Sequence, residues 1–421
     1  MKIQTPSRRC RMIMPKLIKV RQTFAADRLE NIENAVRSEI DRVGPAIQPG
    51  SRIAITVGSR GIANLARIVR AVVAVLKERQ ADPFIVPAMG SHGGATAQGQ
   101  TELLAGYGIT EDAVGAPVRS SMEVVELPQG ELGHPVYQDR LAHEADGIVV
   151  LNRVKVHTDF HGDTESGLLK MCVIGLGKHR QALAMHRYGV HGIRDLLPPA
   201  AEQIIRHSKI LFGLGIVENA YDETALIRAI RPEAMRREEM KLLEICRRNM
   251  PRLPCDALDL LIVDQMGKDI SGSGMDTNII GRMSIRGEPE PERPRVRTLV
   301  VTDLTEASHG NAAGMGLADF ITRRLQDKID FQATYENILT STFNERGKMP
   351  IVADTDRQAV QYAMRTWGPV APEDAAIARI RDTLHLGELY VSKPVLERCG
   401  QLEIIGPATD LFDETGALKP F

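Results

Sequence analysis

The sequence lacks a strong net charge, closely spaced cysteines and any long apolar run. Lysine and arginine number 53 against 54 aspartate and glutamate, for a net charge of -1. This balance excludes a strongly basic nucleic-acid binder, because phosphate binding requires a surplus of basic side chains. The five cysteines form neither a CxxC pair nor a disulfide framework. No stretch approaches the ~18 uncharged apolar residues of a membrane helix, so we expect no membrane partner.

The remaining composition is that of an ordinary globular protein. Hydrophobic residues make up 43% of the 421 residues and charged residues 25%. The N-terminus is basic, but no long apolar stretch follows it, so we expect no secretory signal. Together with the dispersed cysteines, this predicts a reduced, cytoplasmic protein. At roughly 100–200 residues per domain, the length favours two domains.

Short β-like runs alternate with helix-like runs in both halves of the chain. The runs typical of strands are 51–57, 83–87, 147–151, 258–264 and 297–303, and those typical of helices are 64–79 and 317–328. This alternation predicts an α/β fold of two α/β domains with mostly parallel sheets and an active-site cleft between the domains. A charged, helix-forming segment, 231–252, ends in the breakers PRLP. We therefore predict an N-terminal domain at 1–250 and a C-terminal domain at 251–421.

The chemically informative residues concentrate in the loops that follow the predicted strands. Functional groups in open α/β sheets lie at the carboxyl ends of strands. The loops with glycines and polar or charged side chains are GSRG at 58–61, GSHGG at 90–94, the segment 155–170, and 265–276. Each loop taken alone is also compatible with a simple turn.

Two familiar motifs are absent from these loops. His157 and His161 are four residues apart, as in a metal-binding helix, but the glutamate of an HExxH motif is not between them. Gly175-Leu176-Gly177 begins a dinucleotide-binding pattern, but Arg180 stands where its last glycine would be. Neither motif identifies the protein, so the interpretation depends on the loops as an ordered set.

As an ordered set, the motifs resemble the nickel-dependent lactate racemase family, whose members use a nickel-pincer nucleotide. Members have an arginine after an early strand, a Gly-x-His loop, a lysine that ends a glycine-containing stretch, a histidine on the next helix, and a Gln-Lys pair three residues apart. The matching residues here are Arg60, Gly90-Ser91-His92, Lys170, His186, and Gln265 with Lys268.

The resemblance implies a role for each matched residue. His92 and His157 would be the catalytic acid and base, and Gln265 and Lys268 would bind substrate. The implied cofactor contacts are Lys170, Arg60 and Ser59, and His186 would bind nickel. The spacing from His157 to Lys170 is longer than in lactate racemases, so His161 remains an alternative second base. The family also implies cofactor-synthesis enzymes as partners. The sequence is compatible with a homo-oligomer and leaves the oligomeric state open.

These residue types suit the inversion of a 2-hydroxy acid. The C2–H bond is very weakly acidic, whereas a hydride route requires a base that removes the hydroxyl proton and an electrophilic ring that accepts the hydride. Two bases are needed, one near each orientation of the hydroxyl, and histidine exchanges protons near neutral pH. Imidazole is also a good ligand for Ni(II). The resemblance and this chemistry agree on a racemase or epimerase.

The substrate and two other functions stay open at this stage. Asp276 and Asn278 could bind additional hydroxyls, which favours a sugar acid over lactate, but Asp276 could equally cap a helix. One alternative function is another metal- or nucleotide-dependent enzyme, such as a zinc hydrolase that uses His157 and His161. Another is a non-catalytic protein that only binds the cofactor.

Overall fold

The computed structural model describes residues 14–59, 61–399 and 401–421, which form two compact units. One unit comprises residues 25–250. The other comprises residues 251–421 and the segment before residue 25. The chain passes from one unit to the other between Met250 and Pro251, where we predict the domain junction.

The strands alternate with helices along most of the chain. The strands are β1 Leu17–Arg21, β2 Arg52–Val57, β3 Asp82–Pro87, β4 Val124–Leu127, β5 Val136–Asp139, β6 Gly147–Arg153, β7 Ile210–Glu218, β8 Thr224–Ile230, β9 Ala257–Met266, β10 Arg295–Leu304, β11 Phe320–Thr322, β12 Ile351–Ala353, β13 Ile377–Ile380, β14 Glu388–Val391 and β15 Glu403–Thr409.

The α-helices are α1 Ile32–Val43, α2 Leu65–Glu78, α3 Ala97–Gly106, α4 Glu111–Val114, α5 Arg140–Glu144, α6 Leu168–Lys170, α7 Lys178–His186, α8 Gly189–His191, α9 Leu197–His207, α10 Met235–Asn249, α11 Thr277–Ile280, α12 Arg323–Asp327, α13 Phe331–Ser341, α14 Asp356–Met364 and α15 Lys393–Arg398. Short π-helical segments follow α6 at Met171–Gly175 and α8 at Gly192–Leu196.

The unit of residues 25–250 is built on a sheet in the order β3-β2-β6-β7-β8. All neighbouring strands are parallel except β7 and β8. Ile53 and Ile55 of β2 pack into a core with α1 and α2, whereas Ala54 packs into a core on the other face. A sheet that is covered on both faces has apolar residues at successive positions, which explains the continuous apolar run of β2.

The other unit has a mixed sheet in the order β12-β11-β10-β9-β13-β14-β1-β15. The strands from β12 to β13 pair in parallel, and β14, β1 and β15 are antiparallel to their neighbours. Both units therefore have the mostly parallel α/β architecture that the sequence predicts.

Strand β1 pairs in a different unit from the predicted one. We predict residues 1–250 as one domain, but β1 lies between β14 and β15 in the sheet of the C-terminal residues. A five-residue strand carries no local signal of its partner, because pairing over more than 360 residues depends on the assembled sheet.

The predicted helix at 317–328 is wrong in its first part. Phe320 and Ile321 form β11, which pairs in parallel with Val300 and Val301 of β10, and only residues 323–327 form a helix, α12. A short apolar run is compatible with either a buried strand or a buried helix. Here the run pairs with β10, so it forms a strand.

Candidate active site

Three of the predicted loops leave the same edge of the sheet of residues 25–250. Strands β2, β3 and β6 lie side by side in parallel, so their carboxyl ends meet at one edge. The loops that follow them carry Ser59, His92 and His157. Open α/β sheets bind ligands at this edge. Arg60, which we predict as a cofactor contact, lies outside the described residues.

Ser59 and His92 contact each other across two of these loops. The Ser59 hydroxyl forms a hydrogen bond with Nδ1 of His92. The hydroxyl of Tyr107 donates to the carbonyl oxygen of Ser59 at 2.9 Å, which attaches this loop to α3 and the turn that follows it. The His92 side chain is exposed. The hydrogen bond from Ser59 therefore orients the imidazole of His92.

His157 and Lys170 form the closest contact among the predicted site residues. Lys170 Nζ lies 2.6 Å from His157 Nε2, and the backbone N–H of Asp159 donates to His157 Nδ1 at 3.1 Å. An ammonium and an imidazolium at this separation would repel each other strongly. The contact therefore excludes the form in which both groups are charged.

A buried glutamate closes the loop that separates His157 from Lys170. Backbone hydrogen bonds of 2.8 and 3.1 Å between Lys155 and Ser166 join the ends of the loop. Inside it, the fully buried carboxylate of Glu165 accepts from the His157 N–H at 2.5 Å and from Arg247 Nη2 at 2.8 Å. This closure brings His157 back to Lys170 although the two residues are thirteen positions apart in the sequence.

His161 occupies a different place in the same loop. Its Nδ1 lies 3.3 Å from Oε1 of Glu165, and its side chain is 43% exposed. The His157 side chain, by contrast, is 12% exposed and lies against Lys170. The geometry favours His157 over His161 as the histidine that works together with Lys170.

His186, the last residue of α7, belongs to the same cluster. Burial lowers its pKa, the charge of Lys170 lowers it further, and Asp159 opposes both effects. The result is a partly buried imidazole that is neutral at physiological pH. Neutral imidazole is the metal-binding form of histidine. Lys170 thus contacts His157 and contributes to the pKa shift of His186.

The N-terminus of α6, the helix that carries Lys170, is hydrogen-bonded to another buried carboxylate. The backbone N–H of Leu169 donates to Oε2 of Glu239 at 2.9 Å, and burial raises the pKa of Glu239 to about 7. A Cβ on Gly167 would lie 2.5 Å from the Glu239 carboxyl carbon. Glycine at 167 is therefore required for this close approach, which sets the position of the first turn of α6.

Glu165 and Glu239 were not among the predicted site residues. Glu239 does leave a signal in the sequence, because it shares the helical face of Met235, Leu242 and Cys246, which are all buried. A glutamate on an apolar face indicates a buried carboxylate with a specific partner. Glu165 leaves no such signal, since it lies in a loop.

Gln265 and Lys268 lie at the carboxyl end of β9 in the other unit. The Gln265 N–H donates to the carbonyl oxygen of Arg381, which follows the neighbouring strand β13, at 2.9 Å. Lys268 donates from its backbone N–H to Ser308 Oγ at 2.9 Å and from Nζ to the carbonyl oxygen of Gly272 at 2.6 Å. Both residues therefore lie at the ligand-binding edge of their own sheet.

Asp276 acts as a helix cap in this unit. Its Oδ1 accepts from the N–H of Asn278 at 3.0 Å and from the side-chain amide of Asn278 at 2.9 Å. The residue is buried and stands at the N-terminus of α11. The capping alternative thus accounts for Asp276 and removes the argument that it selects a sugar acid.

Two negative findings hold for the described residues. No group of three or more His, Cys, Asp or Glu side chains among them is placed to hold a metal ion. No helix in the same part of the chain is long and apolar enough to cross a membrane.

Residues 1–194 match the family described as the lactate racemase N-terminal domain. No curated protein matches the chain. A solved structure that resembles it is the lactate racemase apoprotein from Thermoanaerobacterium thermosaccharolyticum, with 14% identity and a TM-score of 0.49 over 87% of this chain and 98% of that chain. The family match includes the loops of His92, His157 and Lys170 and the helix of His186, whereas Gln265 lies outside it.

Proposed function

We propose that this chain, whose residues 1–194 match the lactate racemase N-terminal domain family, is a racemase or epimerase that inverts C2 of a 2-hydroxy acid. The observation that carries the proposal is the contact between Lys170 and His157 at the carboxyl edge of a parallel sheet, with His186 subject to the charge of Lys170. These are residue types that suit the reaction: an amine, an imidazole for proton transfer and a second imidazole suited to a metal.

The cluster fits a nickel-pincer nucleotide better than a protein-only metal centre. His186 is a neutral, partly buried imidazole, and no complete set of protein ligands is present among the described residues. Burial raises the pKa of the Cys172 thiol far above neutrality, so Cys172 is a core residue and no thiolate ligand. The remaining metal donors would then come from the cofactor. Lys170 and His186 would hold it, and when bound it would supply an electrophilic centre for hydride transfer.

In this proposal, His92 and His157 transfer the hydroxyl proton of the substrate. His157 is held by the backbone N–H of Asp159 and by Lys170. His92 is oriented through its Nδ1 by Ser59. In the proposed reaction one imidazole removes the hydroxyl proton of one enantiomer and the other serves the opposite enantiomer, so each residue acts as base in one direction and acid in the other.

Gln265 and Lys268 are the proposed substrate-binding residues. Gln265 and Lys268 offer an amide and an ammonium, which suit the carboxylate and hydroxyl that every 2-hydroxy acid shares. These groups do not distinguish among such acids. Because Asp276 is used as a cap, the test of substrate range includes lactate, a dicarboxylate and an aldonate on equal terms.

The two alternative functions have less support. A zinc hydrolase would require His157 and His161 on one metal, but His161 lies against Glu165 and His157 lies against Lys170. A non-catalytic cofactor-binding protein would need Lys170 and His186 but would not need His92 and His157 as oriented bases. The Ser59–His92 contact favours catalysis over simple binding.

The test is turnover by protein that is produced with and without the cofactor-synthesis enzymes. We expect nickel, a covalently or tightly held nucleotide detectable by mass spectrometry, and interconversion of at least one 2-hydroxy acid in chiral chromatography, all only with co-expression. His186→Ala serves as the metal control and His161→Ala as a matched histidine outside the cluster. Zinc without nucleotide, or nucleotide without turnover of any acid in the panel, would contradict the proposal.

A further inference from the structure

Lys178, the first residue of α7, is a fully buried lysine in a strained conformation. Its side chain is 0% exposed, and its φ of 55° lies in the left-handed region that side chains other than glycine rarely adopt. Its Nζ lies 3.2 Å from Oδ2 of Asp139, which is also fully buried. Burial lowers the pKa of Lys178 and raises that of Asp139, while the charge of each partner opposes the change.

Such a pair is a costly way to stabilise a fold. Replacement of buried ion pairs by apolar residues of similar volume is often neutral or stabilising. The left-handed backbone adds strain that must be compensated by the surrounding structure. A buried, strained, charged residue next to a candidate active site therefore indicates a role other than stability.

The contacts of Lys178 lead directly to the loop of His92. Lys178 Nζ donates to the carbonyl oxygen of Pro87, the last residue of β3, and to Oε1 of Gln100 at 3.2 Å. Gln100 is fully buried on α3. Its Nε2 donates to the carbonyl oxygens of Gly90 at 3.0 Å and of His92 at 3.2 Å.

The chemistry of the groups in this hydrogen-bond network fixes which of them donate and which accept. An ammonium can only donate, so the Gln100 oxygen must face Lys178. A carbonyl oxygen can only accept, so the Gln100 NH2 group must face Gly90 and His92. Lys178 thus sets the orientation of the amide, and the amide in turn holds both ends of the three-residue segment that carries the imidazole.

We propose that Lys178 and Gln100 are positioning residues, which hold the His92 loop in register with α7, the helix that ends in His186. The inference rests on the proposed function, in which His92 is a base and His186 a metal ligand. Lys178 and His186 begin and end the same nine-residue helix. The network therefore connects two site residues that come from separate parts of the chain, without contact to the substrate.

The decisive variant separates positioning from stability. Lys178→Met with Asp139→Asn replaces the charged pair by a neutral one, and the asparagine oxygen retains the cap that Asp139 makes to the N–H of Ala142. We expect a melting temperature close to that of the wild type, an unchanged KM and nickel content, and a kcat lower by roughly 10- to 100-fold, since small displacements of a catalytic group cost about this much.

A second variant leaves the ion pair intact. Gln100→Glu retains an acceptor for Lys178 but removes both amide hydrogens from Gly90 and His92, so it should lower kcat in the same way. Gln181→Glu is the matched control. Gln181 is equally buried on α7, but its Oε1 accepts from the N–H of Tyr137 at 2.7 Å and does not reach the His92 loop. We expect this control to change stability and leave kcat unchanged.

Hydrogen exchange gives a readout that does not depend on turnover. The amides of His92 and Ala95 are hydrogen-bonded within the loop and should exchange faster in both network variants, but not in Gln181→Glu. Absence of racemase activity in the wild type would refute the proposed function, and loop exchange would still test the network. A stable double variant with normal loop exchange, or with wild-type kcat, would overturn the positioning role.

Discussion

Glu239 offers a quantitative test of how burial controls the site. Its carboxyl group is fully buried beneath the first turn of α6, and its pKa is raised from 4.5 to about 7. A folded-state pKa above that of the unfolded chain means that the folded protein binds the extra proton between pH 4.5 and 7. Its contribution to stability is therefore complete below pH 4.5 and is lost as the pH rises towards 7.

The size of this loss follows from the shift. A difference of about 2.5 pKa units corresponds to about 3 kcal/mol of unfolding free energy, at ~1.36 kcal/mol per unit. Glu239→Gln retains an oxygen that can accept from the N–H of Leu169 but cannot ionise. Any cost of burying its NH2 group does not depend on pH. The stability of the variant relative to the wild type should therefore rise by about 3 kcal/mol from pH 4.5 to pH 8.

Urea unfolding followed by circular dichroism at several pH values measures this difference. Trp367, the single tryptophan, is buried in the other unit, so its fluorescence follows the unfolding of that unit. Glu238→Gln is the matched control, because the hydrogen bond to Lys241 lowers the pKa of Glu238, so its effect on stability changes below pH 4.5 and should stay nearly constant from pH 4.5 to pH 8. A stability difference for Glu239→Gln that stays constant across the range would refute the reasoning.

Three further predictions concern the site itself. His186→Ala should abolish nickel retention with the fold intact, and unchanged nickel in elemental analysis would contradict its role as the ligand. His92→Ala and His157→Ala should each keep the cofactor but lose ~10²- to 10⁴-fold in turnover. Near-normal activity of His157→Ala, together with a loss of activity in His161→Ala, would assign the role of second base to His161. Gly167→Ala should destabilise the protein by ~1–3 kcal/mol in thermal unfolding, because the added Cβ would lie 2.5 Å from a buried carboxyl carbon, and an unchanged melting temperature would show that the helix can shift.

The positions of most regular elements near the site could be predicted from the sequence. The runs 51–57 and 64–79 become β2 and α2 with ends within one residue. These elements are continuous apolar or periodic segments bounded by polar residues or glycine, so their local pattern allows one structure. The loops that follow such strands could be identified for the same reason, and with them His92, His157 and Lys170.

What the sequence by itself determined, then, is the set of side chains with suitable chemistry and the sheet edge at which they lie. It did not determine the pairing of β1, because strand partners are chosen only when the sheet assembles. It also left His161 open as an alternative to His157, and the closure of their loop around Glu165 gives the two histidines different surroundings. Lys178 and Gln100 act through contacts between distant segments. Such contacts leave no local periodicity, so only the tertiary structure could decide them.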